Sequence, residues 1–515
     1  MSLFTTRLGS VLPVLLLAAC GGGSSGTPAT PASPTHGVLL QNPPQLASLV
    51  TAPGLLLDLG TLPDQALVAL AGATLCDVAV YHLRYTTLGG AHEATTASGA
   101  LMVPIGIDSR CHGPRPILLY AHGTSTNRAY NISDLEVQHN AEGIVLAAFF
   151  ASQGYIVVAP NFAGYDTSTL PYHPFLVADQ QAGDMTDALA AARTALPVAS
   201  ALLTTDSGRL FITGYSQGGY VAMATHRAMQ AAGMPVTAAA PMSGPYALAA
   251  FVDAVFAGRV NGGAPISSTL LLTGYQKSFG GIYGNTLEVF EPGYASDIES
   301  LLPSLTPRST LYSEGKLPET ALFSTTPPAA AFADLTPPTS PANLAAVFAQ
   351  GFGTDNLITN DYRLRYLLDA QAHPDGAWPT TTTGGPAVAP ELPLRRALVR
   401  NDLRDWTPSA PVLLCGGNAD PVVYWLNSEL MQGYWAAHAP TSSAVSMLDV
   451  DSAPLPGEPF ANVKSEFAIA KTAVAVAAVL QGAADGGARA VAEAYHGSLV
   501  APFCIAAARS FFGSQ

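Results

Sequence analysis

Pro116–Ala121 (PILLYA), Tyr155–Ala159 (YIVVA), Leu210–Thr213 (LFIT) and Pro411–Cys415 (PVLLC) are short runs that are apolar at nearly every position. A strand with one wet face alternates apolar and polar residues, so a run without that alternation must be covered on both sides. Longer helical stretches lie between them. One is the Ala-rich Leu176–Ala195, with Asp184 and Asp187 on its polar side, and another is Gln217–Ala232. Strands alternating with helices imply an α/β fold, a mostly parallel sheet with helices on both faces. Cys76–Leu88 and Thr95–Pro104 read as an antiparallel opening pair, and Val236–Pro241 and Ala444–Val450 as further strands. Two C-terminal helices are expected, around Phe467–Leu480 and Leu499–Phe512.

The alternation stops between Tyr246 and Asp405, where Pro, Gly, Thr and scattered aromatics dominate. That stretch is too long for a connecting loop. Because the strand pattern resumes afterwards and still needs sheet partners, it reads as an inserted cap, with Thr325–Pro341 as an irregular crossing segment. The expected organisation is a signal peptide over 1–20, a tether over 21–45, a core over 46–245 and 406–515, and a cap or lid over 246–405.

The N-terminus sets the compartment. Arg7 is followed by the apolar stretch Leu8–Ala19 and then by Leu17-Ala18-Ala19-Cys20. A short apolar core ending in small residues reads as an export signal, too short to span a bilayer. Its end resembles a bacterial lipobox, which makes Cys20 the expected lipidation site; an ordinary signal peptide with a chance Cys is the alternative. Gly21–Pro34 has the Gly/Ser/Thr/Pro composition of a flexible tether. The expected location is therefore an anchored lipoprotein facing the periplasm or cell surface, or a secreted protein if Cys20 is not lipidated. No later apolar run reaches 18 residues, so no further membrane span is expected.

Cys76, Cys111, Cys415 and Cys504 remain, and an even count in an exported chain favours disulfides over thiols. Three pairings are possible. Cys76–Cys111 with Cys415–Cys504 is favoured because each would tie neighbouring parts of the architecture. The chain has 515 residues, 22 basic and 36 acidic, for a net charge of −14. Its charged fraction of 11% is under half the ~25% usual for soluble domains. That excludes a disordered acidic tail, and the acidic balance leaves nothing to pair with nucleic-acid phosphates. No CxxC or HExxH occurs, so neither a metal nor a cofactor is expected.

Gly214-Tyr215-Ser216-Gln217-Gly218 fits G-x-S-x-G. The pattern alone is weak, since Gly22-Gly23-Ser24-Ser25-Gly26 in the tether fits it too. Context separates the two: Ser216 follows a buried-strand run and precedes an amphipathic helix, the strand–turn–helix of a nucleophile elbow. A serine hydroxyl needs a base, and the base needs a carboxylate. In this kind of fold the order along the chain is Ser, acid, His. Asp420 lies five residues past the PVLLC strand, where open α/β sheets place their sites. Asp449 and Asp451 are the reserves. His496, on a short loop before the last helix, is the base, with His438 as its competitor. The oxyanion needs two N–H donors. These are expected from Gln217 and from Thr124 in the loop after PILLYA, with Ser125 as the fallback and His122 as a structural support.

The segments YAHGT, GYIVVAPNFAGY, HPFL, GYSQGG, GNADPVV and YHG resemble the α/β-hydrolase superfamily, and within it the secretory-lipase-like esterases, over roughly Cys76–Tyr246 and Pro411–Phe512. The resemblance implies ester hydrolysis through an acyl-enzyme: Ser216 attacks, His496 shuttles the proton, Asp420 orients it, and Gln217 with Thr124 holds the oxyanion. One departure is the 76 positions between Asp420 and His496, wider than such enzymes usually show, which implies an insertion near Ser452–Gly487. Phe251, Phe256, Phe279, Phe290, Leu301, Leu302 and Phe348 make the cap apolar. Such a lid suits acyl chains or an aliphatic polyester, although most of these residues must form the cap's own core. The expected partners are thus a small or polymeric ester and, through the lipid anchor, a membrane. A serine peptidase and a non-catalytic surface-binding lipoprotein are the alternatives.

Overall fold

A computed structural model describes residues 35–62, 66–136, 141–201, 203–439 and 445–515. The expected signal peptide, Cys20 and the tether up to Pro34 lie outside the described residues. The apolar runs become the centre of a nine-stranded sheet ordered β1-β2-β3-β5-β4-β6-β7-β10-β11. Its strands are β1 (Gln45–Val50), β2 (Asp77–Leu88), β3 (Ala94–Ile105), β4 (Gly113–Ala121), β5 (Ile156–Pro160), β6 (Thr204–Tyr215) and β7 (Ala238–Met242). After β8 (Phe323–Ser324) and β9 (Phe352–Gly353), a separate parallel pair in the cap, come β10 (Val412–Gly416) and β11 (Val445–Asp449). From β5 to β11 neighbouring strands are parallel, while β1, β2 and β3 join antiparallel at one edge.

Both faces are dry, as the continuous apolar runs require. Ile117 and Leu119 of β4 enter one core with Val158 and Ile212, while Leu118 and Tyr120 enter the other with Val157 and Phe211. Helices α1 (Ala178–Ala199) and α2 (Gln217–Ala231) cover the first face, placing Met185, Leu189 and Val221 on it. The second face is covered in part by the helix Ala141–Phe149 and by the last helix of a C-terminal set: α3 (Ala461–Leu480) and α4 (Ala488–Ala494) pack outside the sheet, and α5 (Ala501–Gly513) lies on the strands. Disulfides join Cys76 to Cys111 and Cys415 to Cys504, with Cα atoms 5.4 and 5.6 Å apart. By length and composition Ala488–Gly513 could cross a membrane, but Phe503, Cys504, Ala507 and Phe512 on its inner face are core residues beneath the sheet.

Several expectations need correction. Part of the expected tether is tied to the fold: the N–H of Gly37 donates to the Thr86 carbonyl and that of Leu40 to the Arg84 carbonyl, so this part runs along β2. Asp184 and Asp187 are not on a polar face. Both are buried, Asp184 accepting from the Tyr85 hydroxyl and the Ala163 N–H, and Asp187 from Thr87 and His36. They tie α1 to the sheet edge and the N-terminal arm to α1. Between Met242 and Val412 the chain leaves the main sheet for short helices and the β8–β9 pair. Two buried arginines knit this region together: Arg395 bridges Asp253 and Asp369, and Arg404 bridges Asp375 and Asp402.

Candidate active site

Ser216 occupies the turn between β6 and α2 with φ 60° and ψ −122°, a conformation that non-glycine residues rarely adopt and that here is imposed by the strand-to-helix reversal. Its N–H donates to the carbonyl of Met242 on β7. The turn is this tight because α2 sits directly on the strand ends. A Cβ on Gly218 would fall 1.9 Å from the Ala121 carbonyl, and one on Gly219 would fall 2.2 Å from the Met242 carbonyl. The motif's glycines are therefore a packing requirement, and the hydroxyl is left projecting from the carboxyl edge of the sheet.

The structure brings Ser216, His496 and Asp420 together. His496 Nε2 lies 2.9 Å from Ser216 Oγ, and His496 Nδ1 lies 2.7 Å from Asp420 Oδ2. A carboxylate only accepts, so the proton sits on Nδ1 and Nε2 is free to accept from the serine. Asp420 is buried, and its other oxygen accepts the N–H groups of Val422 and Val423, at 2.9 and 3.1 Å. His496 is not on a loop. It stands in a π-helical turn, Tyr495–Val500, that joins α4 to α5 without a break. Such turns recur at functional sites because they rotate one side chain out of the regular helical register. The Tyr215 hydroxyl donates to the His496 carbonyl.

The competing residues have other partners. Asp449 accepts from the backbone and side-chain N–H of Asn418, and Asp451 holds Lys471 and Tyr495. His438 is an exposed residue at the end of the helix Leu426–His438.

Thr124 and Gln217 line the same cavity as Ser216 and His496. Gln217 begins α2, so its N–H has no carbonyl one turn back to bond. The loop carrying Thr124 is braced from below. His122 is fully buried, stacked at 4.3 Å against both Tyr130 and Phe162 and set between the carbonyls of Gly123 and Asn161; burial pushes its imidazole toward the neutral form. Glu142 accepts from the Gly123 N–H and from the Tyr120 and Tyr130 hydroxyls. Ser125 presents its carbonyl to Tyr165.

Sequence reasoning gave no role to His173. Burial lowers its pKa to about 3, so the ring is neutral. Nδ1–H donates to the Ala163 carbonyl, and Nε2 accepts from the Gln217 side chain at 2.7 Å. The HPFL segment was the only signal, and a lone His in apolar sequence does not announce such a partner.

The cavity over Ser216 measures about 680 Å³. Its walls include Leu62, Val145, Phe251, Ile266, Val422 and Ile505. Of the seven apolar cap residues singled out in the sequence, Phe251 alone lines it. Phe256, Phe290, Leu302 and Phe348 are buried in the cap's own packing. Much of the apolar wall comes from the core and from the N-terminal segment instead.

Residues 145–252, which contain the Ser216 turn, match the model of the prolyl oligopeptidase family. No curated protein sequence shows significant similarity to the chain. Among solved structures, the rice cell wall degrading esterase LipA of Xanthomonas oryzae is similar with a TM-score of 0.62 and 24% identity, covering 90% of this chain and 98% of that one. Its ligand-bound form is similar with a TM-score of 0.62 and 25% identity, covering 88% and 99%. A provisionally assigned hydrolase of Legionella pneumophila shares the fold at 18% identity, with a TM-score of 0.62 and coverage of 92% and 97%.

Proposed function

We propose that this chain, a hydrolase of the α/β-hydrolase superfamily, cleaves carboxylic esters of apolar acyl chains through an acyl-enzyme on Ser216. The observation that carries this reading is the unbroken relay Asp420–His496–Ser216 opening onto a largely apolar cavity. In the first half-reaction His496 Nε2 takes the Ser216 proton as Oγ bonds to the ester carbonyl carbon. The resulting oxyanion is met by the N–H groups of Gln217 and Thr124. His496 then returns the proton to the leaving alkoxide as the C–O bond breaks. Water, deprotonated by the same nitrogen, releases the acid and restores Ser216. Asp420 keeps Nδ1 protonated and supports the imidazolium that forms twice in the cycle.

The prolyl oligopeptidase match favours a second reading, peptide cleavage. Binding a peptide's amino terminus would require a free carboxylate in the cavity. Among the described residues lining it, Glu142 is the one carboxylate, and it already accepts three hydrogen bonds. That speaks against an exopeptidase anchored on a free amino terminus. Esters of plant or synthetic polymers belong to the same chemistry, and the similarity to a cell wall degrading esterase supports including them. The N-terminal sequence supports export with lipid attachment at Cys20; a Cys20→Ser chain that still fractionates with membranes would remove that part of the proposal.

The test is hydrolysis of p-nitrophenyl esters of increasing acyl length alongside peptide p-nitroanilides. Ester turnover is expected, falling by about 10⁵–10⁶-fold in Ser216→Ala. Peptide cleavage without ester cleavage would establish the second reading. No turnover of either would leave a surface-binding protein.

A further inference from the structure

Asp420 and His496 are carried by different elements 76 positions apart, yet their atoms must meet within a few tenths of an ångström. His496 stands on a helical run, where turning the helix by one residue swings a side chain about 100°. Something must therefore fix the rotation of the α4–α5 run against the loop after β10.

One peg is the disulfide from Cys504 on α5 to Cys415 on β10. The other is Tyr495, the residue before His496. Its ring is buried, its hydroxyl donates to Asp451 Oδ2 at 2.7 Å, and the hydroxyl oxygen accepts the N–H of Ala419, the residue before Asp420, at 3.2 Å. One hydroxyl, on the neighbour of the base, thus touches the neighbour of the acid. Asp451, just past β11, is held in turn by Lys471 Nζ at 2.6 and 2.7 Å from its two oxygens. Lys471 lies on α3, and Phe467 of the same helix packs edge-on against the Tyr495 ring at 5.9 Å. The fit is close: a Cβ on Gly417 would fall 2.7 Å from the hydroxyl. Asp449 clamps the adjacent Asn418 through both of its oxygens.

We infer that Tyr495, Asp451 and Lys471 form a chain of positioning residues that sets His496 against Asp420. On this reading the Ser452–Gly487 insertion, through α3, supplies the outer end of the brace. None of the three touches the reacting atoms; they act through Asp420 and His496. This inference rests on the proposed Ser216 mechanism and names what holds that mechanism in register.

Tyr495→Phe keeps the ring and its packing but removes the hydroxyl. The expected result is a kcat at least tenfold lower with KM within twofold, and an equal slowing of Ser216 labelling by a fluorophosphonate, in protein that melts cooperatively. Asp451→Asn, which keeps an acceptor for the tyrosine, is expected to retain most of the rate. Wild-type kcat and labelling rate in Tyr495→Phe would overturn the brace and leave the mechanism standing. Absence of labelling in the wild type would remove the mechanism and the brace together. If Tyr495→Phe does not fold, Lys471→Met at its half-exposed site decides: about a threefold loss of kcat at unchanged KM supports the brace, and an unchanged kcat overturns it.

Discussion

Asp420 accepts from the His496 ring and from two backbone N–H groups. An amide at this position cannot serve all three, because one of its two ends only donates. Asp420→Asn should therefore leave His496 in the wrong tautomer and lower kcat by about 10⁴-fold, with little change in KM; steady-state kinetics on a p-nitrophenyl ester will show it. At this scale the sequence was legible where a local rule forces the residue. Gly218 and Gly219 follow Ser216 because α2 packs on strand ends, and that requirement is written in nearly consecutive letters. His173 was not legible, because its partner Gln217 lies 44 residues away and only the fold brings the two together. Asp184 misled for a related reason. Helical periodicity places a carboxylate on the wet face, and nothing local reveals the Tyr85 hydroxyl 99 residues earlier that satisfies it in the core.

Among the elements, β4, β6 and β10 could be read because strands buried on both faces leave no polar alternate. β1 could not: it is a short edge strand, mostly exposed, and its pattern carries no burial signal. The π-turn at His496 was read as a loop because Gly497 and Ser498 are poor helix formers, whereas α4 and α5 continue through them. The cap's stability rests on a different physics from the sheet's. Arg404 makes two-pronged contacts with Asp375 and Asp402, all three fully buried, and Asp402 also accepts the Ala249 N–H at the start of the cap helix Leu248–Phe256. Removing the cation leaves two carboxylates desolvated and unpaired. Arg404→Met should destabilise the protein by about 3–5 kcal/mol, measured by urea denaturation monitored at the tryptophans.

For the whole molecule, the sparse charge reflects a sheet dry on both faces, and several titratable groups are buried within it. His226 on α2 packs against Trp406 at 5.0 Å, and its Nε2 is buried without a hydrogen-bond partner among the described residues. Burial lowers its pKa to about 4, from the ordinary value of 6.5. The unfolded chain therefore takes up a proton that the folded chain refuses. The associated stability is present above about pH 6.5 and is lost as pH falls toward about 4, by roughly 3 kcal/mol. His226→Leu should remove that share of the acid sensitivity, seen as a smaller drop in melting temperature between pH 7 and pH 4. The central claim is that Ser216 carries the acyl group during ester hydrolysis. Its most direct test is rapid acid quench of the protein during turnover of a p-nitrophenyl ester, followed by peptide mass mapping. The account predicts an acyl adduct on Ser216 that is absent in Ser216→Ala; an adduct on another residue, or undiminished turnover by Ser216→Ala, would contradict it.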